Sequence, residues 1–304
     1  MKIAVPVKSF SQNTTLVKEL LHSFPGSKIN YEAKEFDKSQ LIQYINGYDG
    51  AIVGLEKIDE DLLKACSSLK LIAKYGVGLD NIDFDACEKH QVKVLYNKGV
   101  NKTSVAELAM GFILTLNRNI YTTCAQLKNN VWNKSGGTEL SNKTVGIIGV
   151  GNIGKELIRF LQPFKCEILV NDIIDQHEYY QNQGLEEVSK EELLKRSEII
   201  SVHTPLNAEM HHFFNKEKFE LMKKDCILIN TARGSIIKTE DLKYALENKL
   251  IKGAALDVFE QEPPFNLNLI HLPNLICTPH IGGNSIESVL AMGRSAIHLL
   301  NTGE

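Results

Sequence analysis

The sequence predicts an α/β protein built on two open parallel sheets, and three observations carry that prediction. Short apolar segments alternate with amphipathic helical patterns along the whole chain, the order that yields right-handed βαβ units. Segments such as Val145-Gly146-Ile147-Ile148 and Ile227-Leu228-Ile229 are apolar on successive residues rather than alternate ones, which suits parallel strands covered by helices on both faces. One long helical pattern divides the strands into two series, and 304 residues is a two-domain length.

The first series of strand segments is 2–7, 28–36, 51–54, 69–75 and 92–96; the second is 144–149, 166–171, 199–202, 227–230, 253–256 and 275–277. The dividing helix is expected to start at Ser104-Val105-Ala106-Glu107, an S-x-x-E capping box. Val105, Leu108, Ala109, Phe112, Ile113 and Leu116 then recur at helical spacing. A continuous helix at this place is a candidate hinge. The polar stretch 129–137 reads as a loop. Residues 285–300 read as a last helix, with Ile286, Val289, Leu290, Ile297 and Leu300 on its apolar face.

Composition narrows the function classes. The 34 Lys+Arg against 37 Asp+Glu leave a net charge of −3, which argues against a general nucleic-acid binder. No apolar run reaches the roughly 18 residues of a membrane span. The N-terminus lacks the pattern of a signal peptide and reads as a strand. The six cysteines show no CxxC spacing and the nine histidines no HxxxH, so the expectation is no metal, reduced thiols and a cytoplasmic location.

The strongest local motif is Gly149-Val150-Gly151-Asn152-Ile153-Gly154, a G-x-G-x-x-G placed directly between a strand and a helix. The following strand ends in Asp172, 18 residues beyond Gly154, close to the spacing of about 20 expected for the acid that binds an adenosine ribose. Gly149 allows the tight turn, Gly151 lets a pyrophosphate approach, and Gly154 lets helix and strand pack. Asp172 accepts from ribose hydroxyls and repels a 2′-phosphate, so the expected cofactor is NAD rather than NADP.

Three further segments place polar groups at strand carboxyl ends, where open α/β sheets bind ligands. They are Asn230-Thr231-Ala232-Arg233-Gly234, Asp257-Val258-Phe259-Glu260-Gln261-Glu262-Pro263, and Thr278-Pro279-His280-Ile281-Gly282-Gly283. An Arg, a carboxylate and a His beside a nicotinamide suit hydride transfer to a carbonyl. The His handles the hydroxyl proton, a carboxylate favours its charged form, and the Arg orients carboxylate and carbonyl oxygens. Taken singly, Arg233 also reads as a surface ion-pair residue, Glu262 as a solvated loop acid and His280 as a satisfied loop histidine. Glu260 is a rival for the acid.

These segments, together with Lys74-Tyr75-Gly76-Val77-Gly78-Leu79-Asp80-Asn81-Ile82-Asp83, Ser104-Val105-Ala106-Glu107-Leu108 and His203-Thr204-Pro205-Leu206, run in an order that resembles the D-isomer-specific 2-hydroxyacid dehydrogenases over nearly the whole chain. The resemblance implies two Rossmann-like or flavodoxin-like parallel-sheet domains with a cleft between them. Residues 1–98 plus 285–304 would be the substrate domain and 99–284 the NAD domain. It implies His280 as acid/base, Glu262 as its partner and Arg233 as the substrate-orienting residue. The amides of Gly76, Val77 and Gly78 would hold a substrate carboxylate, with Lys74 and Tyr75 beside them. Asp257 would bind the nicotinamide carboxamide, and His203, Thr204, Pro205, Thr231, Ala232, Gly282 and Gly283 would line the cofactor. It also implies a homodimer through the long helix and the loop near Trp132. Two departures stand out: the 97–102 connection lacks a proline that relatives carry, and Asn142 replaces a glycine before Lys143-Thr144. Lys74 makes 3-phosphoglycerate the first expected substrate. Glyoxylate/hydroxypyruvate or D-lactate-type chemistry is the alternative, and an NAD-binding corepressor-like protein is the alternative of another class.

Overall fold

The computed structural model describes residues 1–264 and 267–303, so Glu304 lies outside the described residues. The chain divides into two compact units, Met1–Asn101 with Gly283–Glu304, and Lys102–Gly282.

The first unit holds a parallel sheet of β1 (Ile3–Val5), β2 (Lys28–Ile29), β3 (Gly50–Val53), β4 (Leu71–Lys74) and β5 (Lys93–Leu95), in the order β2-β1-β3-β4-β5. That is a flavodoxin-like order, with its reversal between β1 and β3. Successive strand residues face opposite cores. Ile3, Val5, Ile52 and Ala73 join one cluster, while Ala4, Ala51, Val53 and Ile72 join the other. This is why the strands read as unbroken apolar runs. The helix Ile286–Thr302, capped by the Ser285 side chain, returns to this unit and buries Met292, Ala296, Ile297 and Leu300 in the first cluster. Each large apolar side chain so buried contributes about 1.5–3 kcal/mol. The expected strand at 28–36 stops at Ile29. Beyond it Asn30 folds the chain into a turn, its Nδ2 donating to Pro6 O and Lys34 O and its Oδ1 accepting from Lys34 N–H.

The second unit holds β6 (Thr144–Ile148), β7 (Glu167–Asn171), β8 (Glu186–Glu187), β9 (Ile199–Val202), β10 (Ile227–Asn230), β11 (Gly253–Leu256) and β12 (Leu275–Cys277). All are parallel, in the order β12-β11-β10-β9-β6-β7-β8. This is the doubly wound Rossmann order, and its reversal lies between β6 and β9. Val145, Ile147, Ile227 and Ile229 face one core, and Ile148, Ile200, Val202 and Leu228 the other. Asn142 takes φ 60°, a left-handed conformation that asparagine tolerates and glycine adopts freely.

The long helix runs Lys102–Asn117, two residues earlier than expected at its start. Ser104 is therefore inside the first turn, and its hydroxyl donates to Gly282 O at 2.6 Å rather than capping the helix. A further helix, Ile120–Lys128, follows it and buries none of its residues among the described ones.

Candidate active site

The glycine turn follows β6 at the sheet's reversal. Gly149 has φ 95°, and a Cβ there would lie 2.7 Å from the His203 carbonyl carbon at the end of β9. At Gly154 a Cβ would lie 2.2 Å from Gly149 O, so only glycine lets the helix Asn152–Leu161 start this close to the strand. Around Gly151 the Cβ position is open. Asn152 and Ile153 form the first helical residues, so their N–H groups stand where a helix attracts an anion. Asp172, at the end of β7, accepts from Val150 N–H at 2.6 Å and from Ile174 N–H at 2.9 Å, which ties the acid to the turn.

Next to this turn, burial drives the His203 pKa down to about 3, so its ring is neutral. Its Nε2 pairs with Ser201 Oγ at 2.9 Å, while Nδ1 is buried without a partner among the described residues. Among the described residues Thr204 Oγ1 and Thr231 Oγ1 are buried and find no partner either. Such orphans cost about 1–3 kcal/mol each unless a bound molecule meets them. An open Gly151, an acid at Asp172 and orphaned polar atoms along β9 and β10 together fit a dinucleotide. Pro205 is exposed beyond them, and Ala232 is buried.

Arg233 follows β10 in extended conformation, φ −142° and ψ 137°. Asn230 shapes the turn, its Oδ1 accepting from Ala232 N–H at 3.0 Å and its Nδ2 donating to Arg233 O at 2.9 Å. His280 follows β12 and has φ 54°, a left-handed conformation that costs a non-glycine residue on the order of 1–3 kcal/mol and recurs at active sites. The surroundings impose it. His280 N–H donates to Asp257 O at 2.9 Å and Thr278 O at 3.0 Å. Asp257, at 1% exposure, accepts from Thr278 Oγ1 at 2.5 Å and from Ile281 N–H and Gly282 N–H at 2.8 Å.

His280 Nδ1 lies 2.7 Å from Glu262 Oε2. Glu262 Oε1 accepts from Phe259 N–H at 3.0 Å. The Glu262 hydrogen bond raises the His280 pKa above the ordinary histidine value, against burial and the Arg233 charge. Burial opposes ionisation of Glu262, but His280, Phe259 N–H and Arg233 outweigh it and hold the carboxyl below its usual range. The rival acid is engaged elsewhere: Glu260 Oε1 lies 2.5 Å from His212 Nε2, and its Oε2 accepts from Thr239 N–H at 2.7 Å.

In the first unit, Gly76 has φ 102° in the turn after β4. Among the described residues none accepts from the N–H groups of Gly76, Val77 or Gly78, so three donors are available to an anion. Two expectations change here. Lys74 is only 4% exposed, and its Nζ donates to Gly54 O and to Asn81 Oδ1. Its ammonium is bonded to main-chain and amide oxygens of the first unit. Tyr75 is 7% exposed and packs edge-on against Phe10, so its ring belongs to the core.

Asp257 and Gly282, expected beside the nicotinamide, are bonded to each other. A Cβ at Gly282 would lie 2.9 Å from Asp257 Oδ2, so both residues build the His280 loop. Gly283 belongs to the first unit, next to Asn101. Asn230, Thr278 and Asn81 were not singled out from sequence, although all three stood inside the motifs.

Residues 110–282 match the model of the D-isomer specific 2-hydroxyacid dehydrogenase NAD-binding domain. The chain belongs to the D-isomer specific 2-hydroxyacid dehydrogenase family. It is 36% identical to a hydroxypyruvate reductase of Thermotoga maritima over 272 residues, 88% of each chain. It is 37% identical to a D-3-phosphoglycerate dehydrogenase of Methanocaldococcus jannaschii over 260 residues, 84% of this chain and 50% of that one. The chain thus spans about half the length of the phosphoglycerate dehydrogenases it matches. Among solved structures it resembles a D-lactate dehydrogenase from Aquifex aeolicus complexed with NAD and lactic acid, with TM-score 0.89 and 28% identity, covering 100% of this chain and 95% of that one. The dehydrogenase-family match takes in the glycine turn, Asp172, Arg233, Asp257, Glu262 and His280.

Proposed function

We propose that the protein is an NAD-dependent dehydrogenase interconverting a small, unphosphorylated D-2-hydroxy acid and its 2-oxo acid, of the glyoxylate or hydroxypyruvate kind. The observation that carries this reading is the His280–Glu262 pair at 2.7 Å, with the Arg233 charge acting on both members.

The dinucleotide, when bound, supplies the hydride. The turn at Gly149–Gly154, with Asp172, holds the cofactor, and Asp172 favours NADH over NADPH. The Gly76–Gly78 amides take the substrate carboxylate, and Arg233 orients carboxylate and carbonyl oxygens. His280, kept protonated by Glu262, donates its proton to the carbonyl oxygen in reduction and removes it in oxidation. Asp257 holds the His280 loop in place.

A second reading, 3-phosphoglycerate as substrate, is supported by the identity to phosphoglycerate dehydrogenases and weakened by the enclosure of Lys74. We further infer a cytoplasmic homodimer. Support for the dimer comes from Ile120, Tyr121, Leu127, Val131 and Trp132, all exposed, with Trp132 at 78%. The six free thiols suit a reducing compartment.

The test is NADH oxidation across glyoxylate, hydroxypyruvate, pyruvate and phosphohydroxypyruvate. Turnover of the small acids supports the reading. A strong preference for phosphohydroxypyruvate supports the second one. Bound NADH with no turnover of any acid overturns both and leaves a corepressor-like binding protein.

A further inference from the structure

The enclosed Lys74 is the end of a polar tie. Its Nζ reaches the carbonyl oxygen of Gly54, after β3, and Asn81 Oδ1, beyond the Gly76–Gly78 turn. Asn81 Nδ2 returns to Gly54 O at 3.1 Å and Glu56 O at 2.6 Å. Glu56 Oε2 accepts from Gly54 N–H at 2.6 Å. Backbone bonds extend the tie, from Ile58 N–H to Asn81 O at 2.8 Å and from Asp83 N–H to Ile58 O at 2.9 Å. The three free N–H donors of Gly76, Val77 and Gly78 therefore sit in a turn clamped at Lys74 on one side and Asn81 on the other.

An enclosed ammonium is costly unless its surroundings use it. A neutral side chain could fill the same space without that cost. The ammonium does one thing an apolar group cannot: it donates at once to Gly54 O and to Asn81 Oδ1, and so ties the segment after β3 to the segment beyond the Gly76–Gly78 turn. Burial pushes the Glu56 carboxyl up, opposed by its own and the Gly54 N–H groups and then by Lys74 and Lys8.

We propose that Lys74 is a positioning residue, whose buried ammonium fixes the Gly76–Gly78 turn as a carboxylate receptor without touching the substrate. This rests on the reading of that turn as the seat of the substrate carboxylate.

The experiment compares wild type with Lys74→Met and with Lys74→Met/Glu56→Gln, the second variant removing the carboxylate that the first leaves without its buried counter-charge. Glyoxylate is the probe. KM, kcat, the NADH dissociation constant and amide exchange at Ile58 and Ile82 are measured. The expected result for both variants is a glyoxylate KM raised about tenfold to a hundredfold, since a receptor misplaced by an ångström loses up to that much. The kcat stays within about threefold, NADH binding is unchanged, and exchange at Ile58 and Ile82 is faster. An unchanged KM in the folded double variant overturns the proposal. Unchanged exchange overturns the tie itself and is read without substrate. Failure of wild type to reduce any 2-oxo acid sinks the functional reading instead, separately from the exchange result.

Discussion

Gly234 offers a sharp test of how the reacting groups are held. It follows Arg233 directly, and a Cβ built on it would lie 1.9 Å from the carbonyl carbon of Phe259, 2.0 Å from its oxygen and 2.4 Å from Glu260 N. These are backbone atoms, so no flexible side chain can swing aside. To move from 1.9 Å to an ordinary 3.4 Å contact, the 257–262 loop must retreat by about 1.5 Å. Phe259 N–H holds Glu262 Oε1, and Glu262 Oε2 holds His280, so the retreat pulls the acid off the base. Overpacking of this kind costs about 1–3 kcal/mol of stability, which a domain with two full cores can lose and remain folded. Misplacement by about an ångström costs catalysis on the order of a hundredfold. Gly234→Ala is therefore expected to fold, to bind NADH as wild type does, and to reduce glyoxylate about a hundredfold more slowly. The assays are thermal melting, NADH fluorescence titration and steady-state NADH oxidation. A folded variant with kcat within threefold of wild type would refute the claim that the Arg233 turn sets the Glu262 loop.

Two other perturbations test neighbouring parts of the account. Because the Glu262 hydrogen bond raises the His280 pKa, the protonated form needed for reduction persists above the ordinary histidine range and is lost as pH rises through the raised value. In Glu262→Gln the alkaline fall of kcat/KM for reduction is expected at lower pH, and a pH–rate profile that does not move contradicts the pairing. At the glycine turn the structure predicts opposite failures. Gly151→Val, placed in open space, should keep the wild-type melting temperature within a few degrees and weaken NADH binding at least about tenfold. Gly154→Val, whose Cβ meets Gly149 O at 2.2 Å and whose two added methyl groups must also find room near Ile147 Cγ2, itself 3.4 Å from that Cβ, should lower the melting temperature well below that of Gly151→Val, as melting curves will report.

Both sheets were legible because two-sided burial writes unbroken apolar runs into parallel strands, as at 145–148 and 227–229. The signal failed where that cause was absent. The strand Glu186–Glu187 is an exposed edge of two acids and carries no apolar mark. The 28–36 segment reads as a strand by composition, but Asn30 side-chain bonds turn the chain after Ile29. The Ser104–Glu107 spacing fits a capping box, yet Ser104 finds a better acceptor in Gly282 O, 178 residues away.

At the site, residue types and order marked Arg233, Glu262 and His280, while only three dimensions could separate Glu262 from Glu260 by giving the latter His212 and Thr239 as partners. The setting of Lys74 was hidden for the same reason. A lysine's charge in the sequence says nothing of whether the ammonium faces water or an interior carbonyl, and here it faces Gly54 O and Asn81. The positive φ of His280 has no signature in the sequence either, since the bonds from Asp257 that impose it come from the neighbouring strand.

The central claim is that His280 moves the substrate proton. Its most direct test is single-turnover oxidation of enzyme-bound NADH by glyoxylate in wild type and His280→Gln, with NADH affinity measured alongside. The account predicts a loss of about a hundredfold to ten-thousandfold in the rate, the usual contribution of a positioned acid/base, with NADH bound as tightly as before. A rate within a few-fold of wild type, at undiminished NADH affinity, contradicts it.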